Sequence, residues 1–261
     1  MPPLDWDAET YDRTSDPQHS WGLEVLDRLE LRGDEAVMDA GCGTGRVTEA
    51  LLARLPHGRV VAVDGSASMA ELARRRLGPR ADVIVCDLLE LELAEPVDAV
   101  ISTATFHWVP DHDRLFERLH AALVPGGQLA AQCGAQGNCA RIFGPILERA
   151  MAEPPFAEHF ADWGLPWRFP SPQEAEAALA GAGFQEISAW VQPRPMVPRE
   201  PRGFVRSSCL PFHLERLPEE LREPFLDRVM ALMPDPPELD YVRLNIDARA
   251  SGGADRSGTS P

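Results

Sequence analysis

Hydrophobic positions in the first half of the chain fall into short continuous runs separated by segments of helical spacing. Five such runs predict strands: residues 36–40, 59–64, 82–87, 97–102 and 128–133. The continuous apolar character of residues 59–64 predicts that this strand is buried on both faces. Between them, apolar residues return every three or four positions, which predicts amphipathic helices, and residues 20–32 predict a further helix before the first strand. Strands that alternate with helices at this spacing predict a parallel, doubly wound sheet.

The second half of the chain is less regular and predicts two helical insertions into this fold. Ser171 and Glu174 have the spacing of a capping box, with Pro172 at the first helical position, and residues 185–192 predict a sixth strand. The fold class expected is α/β, with a mostly parallel sheet of seven strands and helical cap insertions. The expected divisions are residues 1–34 (an N-terminal helical segment covering the site), 35–134 (ligand-binding core), 135–170 (cap insertion), 171–192 (core helix and strand), 193–238 (helical cap insertion), 239–249 (last strand) and 250–261 (disordered tail).

The charge composition excludes several classes of protein. The 25 basic residues are all arginine, so Schiff-base lysine chemistry, pyridoxal phosphate enzymes and the Walker lysine are excluded. With 41 acidic residues the net charge is −16, which disfavours a nucleic-acid or membrane-surface binder because phosphate groups need a basic footprint.

The cysteines and the absence of a long apolar run favour a cytoplasmic protein. The number of cysteines is odd, at five, and none forms a C-x-x-C pair, so neither a disulfide framework nor a metal site is expected. No apolar run reaches the length of a membrane helix, and the N-terminus is acidic, unlike a signal peptide.

Residues 39–45, with the sequence DAGCGTG, lie between the first strand and a helix. Glycine at alternate positions leaves the backbone without Cβ atoms, so a ligand can lie directly against it. A dinucleotide fingerprint requires the spacing G-x-G-x-x-G, and Arg46 takes the last place here. The loop therefore fits a ligand without a pyrophosphate better.

Two carboxylates close the next two predicted strands. Asp64 lies 23 residues after Gly41, where an acidic side chain can accept both hydroxyls of a ribose, and Asp87 can accept from an adenine amine. Together with the glycine loop, these residues predict a nucleoside site.

The combined pattern resembles the class I S-adenosylmethionine-dependent methyltransferases, which have a Rossmann-like fold. The residues that carry it are Asp39 to Gly45, Asp64 to Ser66 with Met69, Asp87 with Leu88, and Pro125 to Gly127. The resemblance implies S-adenosylmethionine as cofactor and direct displacement of its methyl group. The cofactor-binding residues it implies are Gln18, Asp39, Gly41, Cys42, Gly43, Thr44, Gly45, Asp64, Gly65, Met69, Asp87, Leu88, Thr103 and Phe106.

Residues 102–112, together with Trp6, Tyr11 and Gln18, are similar to the trans-aconitate methyltransferase branch, which esterifies small carboxylates. In that branch the position of His107 is often glutamine. Because a carboxylate needs no base whereas a hydroxyl or protonated nitrogen benefits from one, His107 is either a catalytic base or a contact to the cofactor. Substrate contacts are expected from Tyr11, Trp21, His107, Trp108, Trp163 and Trp167. Any of Arg141, Arg168 and Arg206 in the insertions can pair with a substrate carboxylate.

The function expected is methyl transfer to a small organic molecule, most simply to oxygen of a carboxylate or hydroxyl. Methylation of carbon or nitrogen on an isoprenoid, an indole or a similar metabolite is the alternative, since one fold hosts all these acceptors. A nicotinamide-dependent oxidoreductase and a non-catalytic cofactor-binding protein remain more distant alternatives. The sequence leaves the oligomeric state open.

Overall fold

The computed structural model describes residues 6–164 and 167–252, and most of the predicted tail lies outside this part of the chain. Seven strands form one sheet: β1 (Ala36–Ala40), β2 (Arg59–Asp64), β3 (Asp82–Val85), β4 (Val97–Thr103), β5 (Leu123–Gly134), β6 (Phe184–Pro193) and β7 (Val242–Ala250). Their order is β3-β2-β1-β4-β5-β7-β6, and β7 alone runs antiparallel to its neighbours. The predicted seven-stranded, mostly parallel doubly wound sheet is confirmed.

Helices cover both faces of the sheet and build the cap. They are α1 (Ala8–Thr14), α2 (Asp16–Leu26), α3 (Arg46–Arg54), α4 (Ala67–Leu77), α5 (His112–Ala122), α6 (Leu147–Ala152), α7 (Ala157–Phe160), α8 (Pro172–Gly181), α9 (Pro201–Phe204), α10 (Pro211–Arg216) and α11 (Glu219–Leu232). Short π-helical segments occur at Ile142–Ile146 and Val205–Cys209, and 3-10 turns at Gly78–Arg80, Leu88–Glu90 and Phe106–Trp108. None of the helices in the described part has the length and hydropathy needed to cross a bilayer.

The strand order places the ligand site. The order reverses between β1 and β4, and in doubly wound sheets ligands bind at such a switch point, outside the carboxyl ends of the strands. The predicted capping box is present at the start of α8, where Ser171 Oγ accepts from the backbone N–H of Glu174 at 3.3 Å and the Glu174 carboxylate accepts from Ser171 at 2.8 Å.

Three hydrophobic clusters hold the fold together. Two lie on the two faces of the sheet, one including Met38, Phe106 and Phe116 and the other Val37 and Leu51. The third forms between the two cap insertions, which pack their apolar side chains on each other and on α2 rather than on the sheet alone. The cap therefore has a core of its own, which fixes its surface over the switch point.

Two boundaries differ from the sequence interpretation. The helix predicted at residues 20–32 is α2, which begins at Asp16 with Pro17 in its first turn and ends at Leu26. The helix ends after Leu26, and the side chain of Arg28 then donates to the carbonyl of Ala131 in β5 at 2.7 Å. At the other end of the chain, Ala250 of β7 pairs with Phe184 of β6. The last strand therefore includes residue 250, which was predicted to belong to the disordered tail.

Candidate active site

A cavity of about 660 Å³ opens at the carboxyl ends of β1, β2 and β4. Its lining comes from two parts of the fold, the strand ends and the insertions. We call one the cofactor wall, which consists of Gly41, Gly43, Asp64, Met69 and Asp87. We call the other the cap wall, which consists of Trp163, Trp167, Arg168 and Phe212. The remaining lining residues are Trp6, Tyr11, Gly65, Ser66, Leu88, Leu89, Thr103, Ala104, Thr105, Trp108, Val109, Pro110 and Gly164.

The glycine loop follows β1 and turns under the cavity. Gly41 has a φ of +83°, and a Cβ atom there would lie 2.1 Å from Thr105 Oγ1. Gly43 has a φ of +53° and no protein atom within 4 Å of where its Cβ would be. Gly41 is therefore required by the protein's own packing, whereas Gly43 leaves a space that a ligand can fill.

Asp64 ends β2 and aims its carboxylate at this loop. Its Oδ2 accepts from the N–H of Gly43 at 2.8 Å, and its Oδ1 accepts from the N–H of Ser66 at 2.9 Å. Burial raises the pKa of Asp64, while these two hydrogen bonds act in the opposite direction. Each oxygen keeps a second lone pair, which suits it to accept the two hydroxyls of a ribose.

The third strand end supplies the remaining groups on this side. Asp87 caps the turn Leu88–Glu90, with Oδ1 accepting from Leu89 at 3.0 Å, and it lines the cavity with Leu88. Met69 is buried in the first turn of α4 and faces the same space. A carboxylate that shares the cavity lining with two apolar side chains suits an adenine ring and its amine.

A second cavity of about 40 Å³ adjoins the glycine loop beneath α2. Tyr11 and Thr103 line both cavities, and Gln18, His19, Cys42 and Thr44 line the smaller one. Gln18 Oε1 and His19 Nδ1 are buried without a hydrogen-bond partner in the described part of the chain. Unpartnered polar atoms in a small space call for a polar ligand group, such as the ammonium and carboxylate of an amino acid.

Helix α1 is fastened to the glycine loop by a partly buried ion pair. Arg76 makes two 2.9 Å hydrogen bonds to the carboxylate of Asp12, and Thr44 donates to the same carboxylate at 2.5 Å. Burial opposes ionisation, but these hydrogen bonds hold the pKa of Asp12 below its usual range. The Thr44 hydroxyl is thus committed to Asp12, and Tyr11 is fixed at the junction of the two cavities. Burial raises the pKa of Tyr11 to about 12, so its hydroxyl stays protonated at neutral pH.

The ring of His107 is held behind the cavity lining. Its Nδ1 accepts from the N–H of Gly134 at 3.2 Å, and it stacks on Phe169 with ring centroids 5.6 Å apart. Burial keeps the pKa of His107 well below its usual value, with a further contribution from Arg243. A neutral imidazole whose Nδ1 accepts carries its proton on Nε2, so Nε2 is a donor. This hydrogen bonding disagrees with the prediction that His107 is a catalytic base.

Four other sequence-predicted residues do not reach the cavity. Asp39 lies behind the glycine loop and accepts from Thr48 at 2.7 Å, and Gly45 starts α3 with a φ of +82°. Phe106 packs on Phe116 in the core. Trp21 faces β7, where the guanidinium of Arg243 lies 5.4 Å from its ring centroid. In each case the residue supports the site from the layer beneath it.

The cavity lining includes two aromatic residues, Phe212 and Trp6, that were not predicted as substrate contacts. Phe212 packs on Trp108 with centroids 5.3 Å apart, and Trp6 packs on the other edge of Trp108 at 5.3 Å. Phe212 lies in the first turn of the short helix α10 in the second insertion and has no local motif around it. Trp6 belongs to the N-terminal resemblance, which was the one signal that pointed to it. Trp163 and Trp167 both line the cavity as predicted.

These groups fit one ligand in particular. The space at Gly43, the lone pairs of Asp64 and the carboxylate of Asp87 suit the loop contact, ribose and adenine of S-adenosylmethionine, and the orphaned Gln18 Oε1 in the adjoining smaller cavity suits its amino-acid part. Among the described residues no cluster of three potential metal ligands occurs. The fold and the site define an S-adenosylmethionine-dependent methyltransferase.

The comparisons with known proteins agree. Residues 37–127 match the family model of a methyltransferase domain. The chain is 33% identical to a trans-aconitate 2-methyltransferase of Methylobacterium nodulans, over 94% of this chain and 98% of that protein. It is 31% identical to the enzyme of the same name from Variovorax paradoxus, over 85% and 86%. The chain therefore belongs to the same family as the trans-aconitate 2-methyltransferases.

Solved structures share the fold at lower identity. The YcgJ protein of Bacillus subtilis superposes with a TM-score of 0.61 at 15% identity, covering 90% of this chain and 99% of that one. A phosphoethanolamine N-methyltransferase of Haemonchus contortus, solved with S-adenosylmethionine, gives a TM-score of 0.55 at 21% identity, covering 89% and 52%. These likenesses show the architecture alone.

Proposed function

We propose that the enzyme transfers a methyl group to a carboxylate oxygen of a small organic acid and forms a methyl ester. The observation that carries this proposal is the polarity of the cavity. Its cofactor wall holds the acids Asp64 and Asp87, and among the described lining residues the one cation, Arg168, lies in the cap wall. An anionic substrate is attracted to the side where the cation lies and repelled from the side that binds adenosine. The names of the two relatives point to trans-aconitate as the first acid to test.

The residues described here would bind and orient the reactants. S-adenosylmethionine supplies an activated methyl group on a positively charged sulfur. One carboxylate oxygen attacks the methyl carbon while the carbon–sulfur bond breaks towards sulfur, giving the ester and S-adenosylhomocysteine without any proton transfer. Tyr11 and Trp108 border the space between the two walls. Holding the partners in line and excluding water there accounts for about 7–11 kcal/mol of barrier reduction in favourable cases.

The state of His107 supports a substrate that needs no base. With Nδ1 occupied by the N–H of Gly134, the ring offers an N–H at Nε2, as the amide of glutamine would. We propose that His107 fixes the turn Phe106–Trp108, and with it the Trp108 ring, rather than removing a proton. An ionised carboxylate is already a nucleophile at neutral pH.

A second candidate function follows from the aromatic surface. Trp6, Trp108, Trp163, Trp167 and Phe212 give the cap side a broad apolar area that also suits a flat, uncharged metabolite. In that case the acceptor is carbon, nitrogen or a hydroxyl. The two candidates differ in their product, since a methyl ester is cleaved by mild alkali whereas the other products are not.

The proposal is tested with radiolabelled methyl donor and purified protein. Trans-aconitate is incubated beside its triamide, which has the same shape without charge, and beside indole as a flat, uncharged acceptor. We expect label in the trans-aconitate product alone, and its release as volatile methanol after mild alkali. Label that resists alkali, or that appears in an uncharged acceptor and not in the acid, would favour the second candidate.

We also propose that the enzyme acts in the cytoplasm on a free metabolite and not on nucleic acid. The net charge of −16 and the acidic cofactor wall support a free small molecule. The five cysteines are all free, which suits a reducing compartment. Retention of activity after nuclease treatment of the purified protein is the expected result.

A further inference from the structure

The two cavities together locate the reacting sulfur of S-adenosylmethionine. The larger cavity suits the adenosine, and the smaller one suits the amino-acid part. Because the sulfur is bonded to both parts, it lies where the two cavities meet. The residues that line both cavities are Tyr11, Gly41, Gly43, Thr103 and Ala104. Since two of these are glycines, the side chains at the junction belong to Tyr11, Thr103 and Ala104.

Ala104, directly after β4, has a backbone conformation that is unusual for a residue with a side chain. Its φ is +55°, in the left-handed region where a Cβ atom is crowded. In the part of the chain that the structure describes, Cys139 and Glu186 are the other non-glycine residues with a positive φ, and neither lines either cavity. Gly41 and Gly43, at the same junction, reach positive φ values without a Cβ atom. A glycine at position 104 would remove the strain, so the methyl group of Ala104 is retained at a conformational cost.

The elements on both sides of Ala104 impose this conformation. Its N–H donates to the carbonyl of Gln132 in β5 at 2.7 Å. The hydroxyl oxygen of Thr105 lies 3.2 Å from the carbonyl oxygen of Gly41 and 3.0 Å from that of Thr103. The turn after β4 is therefore fastened both to β5 and to the glycine loop. A strained residue persists where its surroundings determine its conformation this strongly, and such residues cluster at active sites.

Core packing does not account for the methyl group of Ala104. The residue is half-buried and belongs to none of the three hydrophobic clusters. Burial against other apolar side chains therefore does not offset the strain. The surroundings that remain for this methyl group are the two cavities, at the point where the donor and the acceptor meet.

We propose that the methyl group of Ala104 borders the path of the transferred methyl group and keeps the sulfur, the methyl carbon and the acceptor atom in line. The reaction needs this alignment because an electron pair of the acceptor forms the new bond to carbon while the pair of the carbon–sulfur bond leaves to sulfur. A displacement of about 1 Å is enough to slow such a step severely. The requirement is the same for a carboxylate, hydroxyl, nitrogen or carbon acceptor.

Ala104→Gly tests this role because it removes the methyl group and relieves the strain together. The single-turnover rate, with enzyme in excess over radiolabelled S-adenosylmethionine and with saturating trans-aconitate, measures the transfer step. We expect this rate to fall by about 30-fold, within the roughly 100-fold that a misplacement of about 1 Å can cost. The dissociation constant of S-adenosylmethionine by calorimetry and the KM of the acceptor should change by less than about threefold. The urea midpoint of unfolding should stay the same or rise, because glycine tolerates this φ.

Glu186→Gly is the matched control for a change at a positive φ. Glu186 has a φ of +52° but is exposed in β6 and lines neither cavity, so this variant should keep the parent single-turnover rate. An unchanged rate in Ala104→Gly would overturn the inference. A rate loss that Glu186→Gly shares, or that comes with equally weakened S-adenosylmethionine binding or a lower urea midpoint, would overturn it as well.

The outcome for Ala104 is separable from the outcome for the proposed ester formation. If the parent enzyme does not methylate trans-aconitate, the proposed substrate is wrong. The same comparison of parent, Ala104→Gly and Glu186→Gly is then made with the acceptor that takes up label in the screen above. A selective rate loss in Ala104→Gly with that acceptor supports the alignment role, and equal rates in all three proteins overturn it.

Discussion

The cofactor wall and the cap wall are built in different ways. Gly41, Gly43, Asp64 and Asp87 follow the ends of three adjacent strands, and the sheet topology alone brings them together. Trp163, Trp167, Arg168 and Phe212 come from two insertions that meet through their own apolar core. The first wall is fixed by local sequence and strand order, whereas the second depends on the packing of distant segments. The difference explains how one fold keeps its cofactor while its substrate changes.

The largest expected effect concerns the support of the cofactor wall. Asp39 is buried in β1, with Oδ1 unpartnered among the described residues, and burial raises its pKa to about 7, while the Thr48 hydrogen bond acts in the opposite direction. Because the folded pKa lies above the unfolded value, the contribution of Asp39 to stability is present below about pH 4 and is lost as the pH rises to about 7. Asp39→Asn should therefore stabilise the protein above pH 7 by up to about 4 kcal/mol and have no effect near pH 4.

Urea unfolding of the two proteins between pH 4 and pH 8 measures this difference. The same substitution at the exposed Asp82 of β3 serves as the control and should give a flat difference. A pH-independent effect of Asp39→Asn would show that the carboxylate is ionised in the folded protein throughout.

The next largest effect is expected in the glycine loop, where alanine substitutions separate a glycine required by protein packing from one that leaves space for the ligand. Gly41→Ala places a methyl group against Thr105 at a positive φ, and we expect about 3 kcal/mol of lost stability from overpacking and backbone strain together. Gly43→Ala meets no protein atom and should cost about 1 kcal/mol. Its larger effect should be on S-adenosylmethionine affinity. Urea unfolding measures the stability and calorimetry measures the S-adenosylmethionine affinity. Equal stability losses for the two variants would contradict the assignment of Gly41 to protein packing and Gly43 to ligand packing.

A cross-comparison tests whether the two walls act separately. Asp64→Asn should weaken S-adenosylmethionine binding by about 50-fold, because an amide accepts only one of the two ribose hydroxyls well. Phe212→Ala should raise the KM of the acid substrate by about 10-fold, the scale of a lost aromatic contact, and leave cofactor affinity unchanged.

Phe143→Ala is the matched control for the aromatic substitution. Phe143 packs on Trp167 with centroids 4.6 Å apart but is not among the residues that line the cavity. Its removal should affect stability more than KM. If Phe212→Ala weakens cofactor binding as strongly as Asp64→Asn does, the two walls form one site and the comparison fails.

The smallest effect is expected at His107, which joins the two walls. His107→Gln keeps an acceptor for the N–H of Gly134, so kcat should change by less than about threefold. Burial holds the pKa of His107 well below its usual value, so the ring stays neutral over the assay range. The rate should therefore show no histidine ionisation between about pH 6 and pH 9 in either protein. If the rate falls steeply below a pKa near 7, and does so only when His107 is present, the hypothesis that His107 is a catalytic base would be supported.

The periodic pattern of apolar residues was sufficient to predict the doubly wound, mostly parallel sheet and the residues of the cofactor wall. Asp64 and Asp87 could be found because each ends an apolar run, and the carboxyl ends of parallel strands meet at one edge. Asp39, Phe106 and Trp21, which were expected from the family resemblance, do not line the cavity. Each lies within two or three positions of a site residue, but side-chain direction turns it into the layer below.

The sequence by itself determined the sheet, the glycine loop and the carboxylates at the strand ends, since these follow from contacts that repeat at short, regular spacing. Only the tertiary structure decided which arginine of the insertions faces the cavity, which tautomer His107 adopts and which aromatic rings form the cap wall. Ion pairing decided the first: Glu238 and Glu223 neutralise Arg141 and Arg206, while the backbone bond to His107 carries Arg168 to the cavity. Pairings between segments that are dozens of residues apart are decided by the free energy of the whole packed molecule. They therefore produce no repeating pattern in the sequence from which they could be predicted.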